Sequence, residues 1–428
     1  MSNDQLAILI IALLMMVHLG IGLPLFLVLA LGSLAMVSVA GIYSIEIIGQ
    51  VPFSAIDNWA LLAMPLFILT GDIISGGRIA TALTDLAEAL LGWIHGGLGM
   101  STIGGCFFFA GTSGSNSADT AAIGKIMIPS MVKKGYDKPY AAALAAGGGC
   151  LGIIVPPSLI FIIYGVVTST SVGDLFLAGV VPGLLMAACM CVANYLICRH
   201  MSWGASGTTP FNGRDVVKKA WAARYGLLAP AIILGGIYSG IFTPTESAAV
   251  AVAYCLIVEL FITKALKWHD VPTLFSRSGV ITGMIGPIIA FSILFGEVLA
   301  VLRIPDALAN FMLSADIGLV GTMLTFMVLL IIFGCFMETI ASIIILMPLL
   351  MPIAGALDID MVHLGVFVVC TLTIGYITPP VGINLFAASA VSEVPYLSIA
   401  ARVWPLFLAL IVAVFVIAFV PSLSLWFM

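Results

Sequence analysis

The stretch "GTSGSNSADTAAIG", residues 111–124, interrupts a chain of 428 residues that is 62% hydrophobic and only 8% charged. Its small polar residues are poor helix formers that expose carbonyls and hydroxyls. In hydrocarbon each unpaired backbone group costs several kcal/mol, so such a run survives at depth only if it is buried in protein or lines a polar cavity. The run therefore reads as the tip of a hairpin between two half-helices. Ser113, Ser115 and Asn116 lie on the turn, and Asp119 lies on the arm just after it.

The rest of the chain supports that setting. Mean hydropathy is +1.23, and apolar runs of about 20 residues, the length that crosses a bilayer, recur between short polar breaks. The expected class is an all-α polytopic membrane protein. Leu6–Leu19 lacks a basic leader and a small-residue cleavage site and reads as a retained helix. No basic, aromatic-interleaved stretch points to nucleic acid. The eight cysteines contain no C-x-x-C pair and read as small buried hydrophobes. The five histidines stand far apart, and no H-E-x-x-H, G-x-S-x-G or Walker motif occurs. The intramembrane acids are read as falling in different hairpins without a nucleophile and base pair, so an enzyme is not expected.

Eleven of the 15 Lys and Arg residues fall in three clusters: Lys133, Lys134 and Lys138; Arg199, Arg214, Lys218, Lys219 and Arg224; and Lys264, Lys267 and Arg277. The positive-inside rule makes these cytoplasmic. Segments 43–58 and 353–363 carry acids and no Lys or Arg, so they are expected outside, as are both termini. These constraints give crossings near 4–19, 24–42, 59–76, 139–170, 175–198, 224–241, 245–265, 278–301, 361–392 and 399–424. The segments about 98–130 and 317–355 then start and end on the same side, as re-entrant hairpins or a closely related broken-helix arrangement.

An ungapped internal repeat appears at an offset of 223. Pro129, Pro156, Pro157 and Pro182 map onto Pro352, Pro379, Pro380 and Pro405, and Gly111 and Gly152 map onto Gly334 and Gly375. The expected organisation is a first repeat over 1–198, a basic cytoplasmic linker over 199–223, and a second repeat over 224–428. Each repeat holds five crossings and one hairpin, so the second enters the membrane inverted. Basic 131–138 and acidic 353–360 agree with this. Inverted repeats with discontinuous helices are a signature of secondary transporters, although channels also use them.

Opposite each hairpin the sequence predicts a helix broken at Pro-Pro: "GGGCLGIIVPPS" (147–158) in the first repeat and "TIGYITPPVGIN" (373–384) in the second. A tip facing a break supplies oxygens for a hard monovalent cation such as Na⁺, while half-helix N-termini favour an anionic substrate. Asp119 reads either as a cation ligand or as a helix N-terminal charge. Glu338 reads as functional or as a hydrogen bond to the hairpin backbone. Ser158 and Asn384 read as substrate or ion contacts or as ordinary caps, and Glu246 fits a cap at least as well as a transport role.

The string "GTSGSNSADTAAIGKIMIPSMVKKGYDKPYAAALAAGGGCLGIIVPPSLIFIIYGVVTSTSVGDLFLAGVVPGLL" (111–185), with "GIFTPTESAAVAVAY" (240–254) and "ITPPVGINLF" (377–386), resembles the large membrane subunit of tripartite ATP-independent periplasmic (TRAP) transporters. That resemblance implies Na⁺-coupled uptake of organic acids, such as sialic acid or C4-dicarboxylates, across the bacterial inner membrane by an elevator motion. It also implies a periplasmic substrate-binding protein and a small four-helix membrane subunit as partners. Carried over, a first sodium site would use Ser115, Asn116 and the backbone of Gly149, Gly152 and Val155. A second would use Gly334, Glu338 and Thr339 with Thr373, Gly375 and Thr378. Substrate contacts are expected from Ser113, Asp119, Ser158 and Asn384. No cationic residue stands out as the carboxylate partner, since Arg303 and Arg402 sit near the membrane edges. A stand-alone dicarboxylate or citrate carrier, and a channel or scaffold, are the competing readings.

Overall fold

The computed structural model describes residues 10–11, 13–15, 17–18, 21–41, 45–75, 79–203, 210–307, 310 and 317–428. Most of the crossing expected at 4–19, Arg78, and residues 204–209 of the linker lie outside the described residues. Among the described residues the regular structure is helical throughout. The helices are α1 (Leu25–Ala40), α2 (Ile45–Ile56), α3 (Ala63–Ser75), α4 (Ile79–Leu91), α5 (Gly97–Ser113), α6 (Asn116–Lys133), α7 (Lys138–Gly149), α8 (Leu159–Thr168), α9 (Val172–Met201), α10 (Gly213–Tyr238), α11 (Pro244–Ile257), α12 (Val271–Val301), α13 (Gly318–Phe336), α14 (Thr339–Ala356), α15 (Met361–Gly375), α16 (Ile383–Ser392), α17 (Tyr396–Arg402) and α18 (Trp404–Phe419).

Their starts follow local chemistry. Thr243 and Glu246 form a reciprocal capping box at α11, where Glu246 accepts from the Thr243 N–H at 2.8 Å and Pro244 supplies a first-turn residue that needs no donor. The cap is thus the observed role of Glu246. Ser171, Asn212 and Asp360 cap α9, α10 and α15 through their side chains.

Among the described residues six helices are long and apolar enough to cross a membrane: α9, α10, α11 with its π-helical extension to Ile262, α12, α13 and α14. At 1.5 Å per residue the shortest reaches about 27 Å, close to a ~30 Å hydrocarbon core. Two of the six are the arms of one hairpin, α13 and α14. Hydropathy therefore cannot distinguish a re-entrant hairpin from a pair of crossings; only the side on which the chain emerges does. Two further candidates are bent: 48–56 with 59–74 at 55°, and α16 with α17 at 117°.

The chain forms two hairpins, α5–α6 and α13–α14, each followed by an interrupted helix. In the first, α7 passes through a 3₁₀ turn at Cys150–Ile153 before α8 resumes at Leu159; in the second, α15 stops at Gly375 and α16 starts at Ile383. The Pro156-Pro157 and Pro379-Pro380 bonds inside these interruptions are both cis. Every residue of α7 from Tyr140 and of α15 from Val362 is buried. A helix that is small or apolar on all sides belongs in the middle of a bundle, and α7 and α15 occupy it. Around them α12 packs on α1, α2 and α3, α11 packs on α3, and α9 packs on α18.

The basic segment is largely helical. Helix α9 continues to Met201 and α10 begins at Gly213, so Arg214, Lys218 and Lys219 ride on α10. Lys219 pairs with Asp85 of α4 at 2.9 Å. Helix α4 buries Ile79, Leu83 and Leu86 against α5 and α10, so it is packed into the bundle along one side.

Candidate functional site

The first tip is closed by Gly114 at φ +61°, a left-handed conformation that costs glycine nothing and other residues about 1 kcal/mol or more. The chain re-enters helix at Asn116. Ser113 Oγ donates a very short hydrogen bond to Asp119 Oδ1, stapling the end of α5 to the first turn of α6. Asp119 is fully buried, as is Thr120, and Asn116 is nearly so. Asn116 Nδ2 donates to Thr373 Oγ1 across 3.4 Å.

The first break packs against that tip without room for side chains. A Cβ on Gly152 would meet Asp119 Oδ2 at 2.5 Å and the Ser115 carbonyl carbon at 3.0 Å, and one on Gly149 would overlap Thr120 Oγ1. Val155 is buried beside them. Ser158 is engaged on both sides: its hydroxyl donates to the Ile153 carbonyl at 2.5 Å and accepts from the Phe161 N–H at 3.5 Å. It caps α8 and does not line the cavity described below.

The second tip is built on Met337 and Glu338, whose extended backbone breaks the chain between α13 and α14. The Thr339 N–H donates to the Tyr376 hydroxyl at 2.8 Å, tying the tip to the second break. Gly334 and Gly375 touch backbone to backbone, and a Cβ on Gly375 would overlap Gly334. Thr378 folds its hydroxyl back onto the Ile374 carbonyl at 2.7 Å. Glu338 is exposed to the cavity while Thr339 and Thr373 are fully buried.

The two breaks meet each other. Thr373 Oγ1 donates to the Cys150 carbonyl at 2.9 Å, and Cys150 Sγ donates to the Thr373 carbonyl at 3.3 Å. These partners are 223 residues apart, the offset of the sequence repeat. Asn384 Nδ2 donates to the Ala146 carbonyl at 3.0 Å, adding a second link from the second half to α7.

A cavity of about 490 Å³ opens between these elements and two outer helices. Four helix N-termini reach it, those of α6, α8, α14 and α16. Its walls carry Ser113, Ser115, Asn116, Glu338 and Asn384, together with Asp72 of α3 and Arg277 of α12. Helix N-termini present free N–H groups and a partial positive charge, so a cavity ringed by them favours an anion.

The structure thus brings both tips and both breaks to one place. Ser113, Ser115, Asn116, Glu338 and Asn384 line the cavity, whereas Asp119, Thr339, Thr373, Gly149, Gly152, Gly334 and Gly375 lie behind its wall. Two readings of the acids and cations change. Asp72 lies within a span and on the cavity wall, outside either hairpin, and Glu259 is fully buried in the π-helical end of the α11 span. Arg277, grouped by sequence with the loop residues Lys264 and Lys267, is the cationic side chain on the cavity wall, with its Nε 3.9 Å from Asp72 Oδ2. Arg402 instead pairs with Asp137 at 3.0 Å. The rule that an intramembrane acid is functional by default would have marked Asp72.

A bundle of membrane-length helices around a polar cavity framed by paired hairpins and interrupted helices defines a polytopic membrane permease. The family described as "Tripartite ATP-independent periplasmic transporter, DctM component" matches residues 9–423. The chain is 40% identical over 373 residues to the C4-dicarboxylate TRAP transporter large permease protein DctM of Pseudomonas aeruginosa, covering 87% of each. It is 34% identical to the sialic acid TRAP transporter large permease protein SiaM of Vibrio cholerae, covering 94% of each. It is 36% identical to the isethionate TRAP transporter permease protein DctMQ of Oleidesulfovibrio alaskensis, over 95% of this chain, and spans 64% of that relative's length. The crystal structure of the Alcanivorax borkumensis YdaH transporter has a similar fold, with a TM-score of 0.59 over 89% of this chain and 87% of that one at 15% identity. The chain belongs to the DctM family of TRAP transporter large permease proteins. These relatives are permease subunits and not enzymes.

Proposed function

We propose that this chain is the large membrane subunit of a bacterial inner-membrane importer. It carries an organic acid, coupled to Na⁺, and receives it from a periplasmic substrate-binding protein. The single observation that carries this reading is the 490 Å³ cavity ringed by four helix N-termini and both hairpin tips. The named relatives, permeases for a C4-dicarboxylate, sialic acid and isethionate, support an acid as the substrate class. A small four-helix membrane subunit is the second partner, packed in the same bilayer.

Na⁺ is proposed from the chemistry of the oxygens around the tips. Asn116 Oδ1, Asp119 Oδ2, Thr339 Oγ1 and Asn384 Oδ1 are buried and have no protein hydrogen-bond partner. A buried polar atom left unpaired costs about 1–3 kcal/mol, and neutral and carboxylate oxygens suit a hard cation. The first site uses Ser115, Asn116 and the Gly149, Gly152 and Val155 backbone, with Asp119 behind them. The second uses Glu338, Thr339, Thr373 and Thr378 with the Gly334 and Gly375 backbone.

The two halves, 1–198 and 224–428, are proposed as inverted repeats with both chain termini on the periplasmic side. The reciprocal Cys150–Thr373 bonds support this, because equivalent residues of two copies can touch reciprocally only near a pseudo-two-fold axis. In the proposed elevator, hairpins and interrupted helices move together against a scaffold containing α3 and α12. A Cβ on Gly71 of α3 would lie 2.7 Å from the Ser113 carbonyl oxygen, so scaffold and tip touch where sliding would occur.

The test is uptake of labelled organic acids into proteoliposomes holding this chain, its small partner and the binding protein, with and without an inward Na⁺ gradient. Uptake that needs both Na⁺ and the binding protein supports the reading. Uptake without the soluble partner favours the stand-alone carrier, and uptake indifferent to Na⁺ removes the coupling.

A further inference from the structure

Two inverted copies can give transport a direction only through what differs between them, and the helices that follow the two tips differ on one face. In α14 that face is closed: Ala341 and Ile344 are buried, and Pro348 packs on α12, where a Cβ on Gly296 would lie 3.0 Å from the proline ring. At the repeat offset of 223 the same face of α6 carries Ala118, Ala121 and Lys125. Here it is open, because Ala118 and Ala121 line the cavity and Lys125 is exposed. Helix α14 has no charged residue at all. Lys125 lies about 6 Å along α6 beyond Ala121 and, at about 100° per residue, projects between Ala118 and Ala121. Helical side chains lean toward the helix N-terminus, so this one leans back toward the tip. Its neighbours on the open face are small, Ser117, Ala118, Ala121 and Ala122. A stripe exposed to lipid looks different: α13 presents Leu324, Val328 and Ile332. Lys125 therefore borders the opening of the cavity.

We propose that Lys125 is a release-side station for the transported acid, holding the carboxylate or sulfonate at the cavity mouth one helical turn beyond the lining residues, on the way to the cytoplasm. This rests on the transport site and the topology proposed above. Among the described residues no acid forms an ion pair with Lys125. On the cavity wall Asp72 and Arg277 pair with each other, so Glu338 leaves the charged lining net negative. A net negative lining repels an acid at the mouth, and the Lys125 ammonium offsets it there. In a cleft with low-dielectric walls a fixed charge focuses the field and raises the local concentration of its counter-ion. An ammonium on a flexible stem has three rotatable donors and accepts an anion in many orientations. That chemistry suits a brief hold during release and not selection between acids. The opposite arm, with Pro348 in the place of Lys125, offers no such station, and there the binding protein would present the acid.

The test reads the potential at the mouth directly. Ala121→Cys is introduced into the large subunit, expressed with its small partner, and labelled in inside-out membrane vesicles by two membrane-impermeant methanethiosulfonates, one ending in a sulfonate and one in a trimethylammonium. The complex without the substitution gives the background from the eight native cysteines. The ratio of the two labelling rates cancels differences in access and leaves the effect of charge. Adding Lys125→Gln should lower the ratio, sulfonate over ammonium, by about threefold to tenfold. Lys125→Arg should keep the ratio, and about 1 M salt, where the screening length is about 3 Å, should flatten it. Lys134→Cys, in the basic cluster assigned to the cytoplasm, should label from the same side. An unchanged ratio in Lys125→Gln overturns the proposal, as does labelling of Ala121→Cys by neither reagent or only from the side opposite Lys134→Cys. Neither transport nor Na⁺ enters this measurement. An unchanged ratio in a protein that transports acids therefore removes the station alone, whereas the expected shift in a protein that transports none removes the transport reading and the station's role with it.

Discussion

The two hairpin tips share a backbone plan and differ in side-chain chemistry. Each ends an arm of 17 to 19 residues, makes a two-residue turn and starts a helix of 18 residues facing an interrupted helix. The first tip offers hydroxyls and an amide, with a carboxylate, Asp119, buried behind it and stapled to Ser113. The second offers a carboxylate, Glu338, on the cavity side, with the hydroxyls of Thr339 and Ser342 buried behind. The charged oxygen thus lies inside in one copy and at the cavity wall in the other. Two cation sites built on these tips would differ in affinity and in exposure to water, giving an order of binding that identical copies could not.

The largest expected effect is on the backbone contacts that hold tip to break. Gly375→Ala places a methyl into Gly334 backbone, which cannot rotate away, and should destabilise by about 1–3 kcal/mol or prevent assembly. In Gly152→Ala the closest contact is the Asp119 carboxylate, a side chain that can shift, so the loss should be smaller. Melting midpoints of the two variants in detergent check this. A reversed order would mean that the first tip is the more rigid of the two.

Next comes the joint between the breaks. Thr373→Val removes the hydroxyl that donates to the Cys150 carbonyl and accepts from Asn116. The two groups left behind are buried, so a loss of about 1–3 kcal/mol follows. Cys150→Ala removes only the weaker sulfur donor and should cost less. Comparable losses for the two would break the asymmetry assigned to this joint.

The cation coupling proposed above would separate the tips functionally. Asn116→Ala takes away a buried amide oxygen with no protein partner, and half-saturating Na⁺ for uptake should rise by about tenfold, since a lost ligand is not replaced by solvent there. Glu338→Gln acts where water reaches the carboxylate, so screening leaves a rise of only a few-fold. Na⁺ titrations of initial uptake rates measure both. A larger effect at Glu338 would place the dominant cation at the second tip.

Much of this comparison was legible in the sequence because it is written in backbone chemistry. Glycine and proline positions repeat at a fixed offset, and the polar run at 111–124 marks a protected turn in an apolar chain, which the structure narrows to Gly114 and Ser115 between two helices. The family resemblance was legible for the same reason, through strings that include those turns. Arg277 and Asp72 were not singled out. Arg277 lies in the seventh position of a 31-residue helix, which is about 47 Å long and overruns the hydrocarbon core, so charge counting assigned it to a loop. Only the packing of α12 against α3 brings it to the cavity. Asp72 could be read as an acid within a span, but its partner could not, because the two are 205 residues apart.

The smallest expected effect tests where the resemblance between the breaks ends. Ser158 and Asn384 lie just after their Pro-Pro pairs, and from sequence alone the two look interchangeable. Ser158 spends both hydrogen-bonding functions on local backbone, capping α8 through the Phe161 N–H and the Ile153 carbonyl. Asn384 lines the cavity, uses its amide nitrogen on Ala146, and has an amide oxygen with no protein partner. Ser158→Ala should therefore cost about 1 kcal/mol of stability, the ordinary loss of a cap, while half-saturation for the transported acid stays within about twofold of wild type. Asn384→Ala should change half-saturation for the acid or for Na⁺ by more than that. The paired measurement, melting midpoint with uptake half-saturation for each variant, distinguishes a residue that shapes the helix start from one that faces the ligand. An uptake defect in Ser158→Ala at unchanged stability would return this hydroxyl to the transport site and make the two breaks functional equivalents.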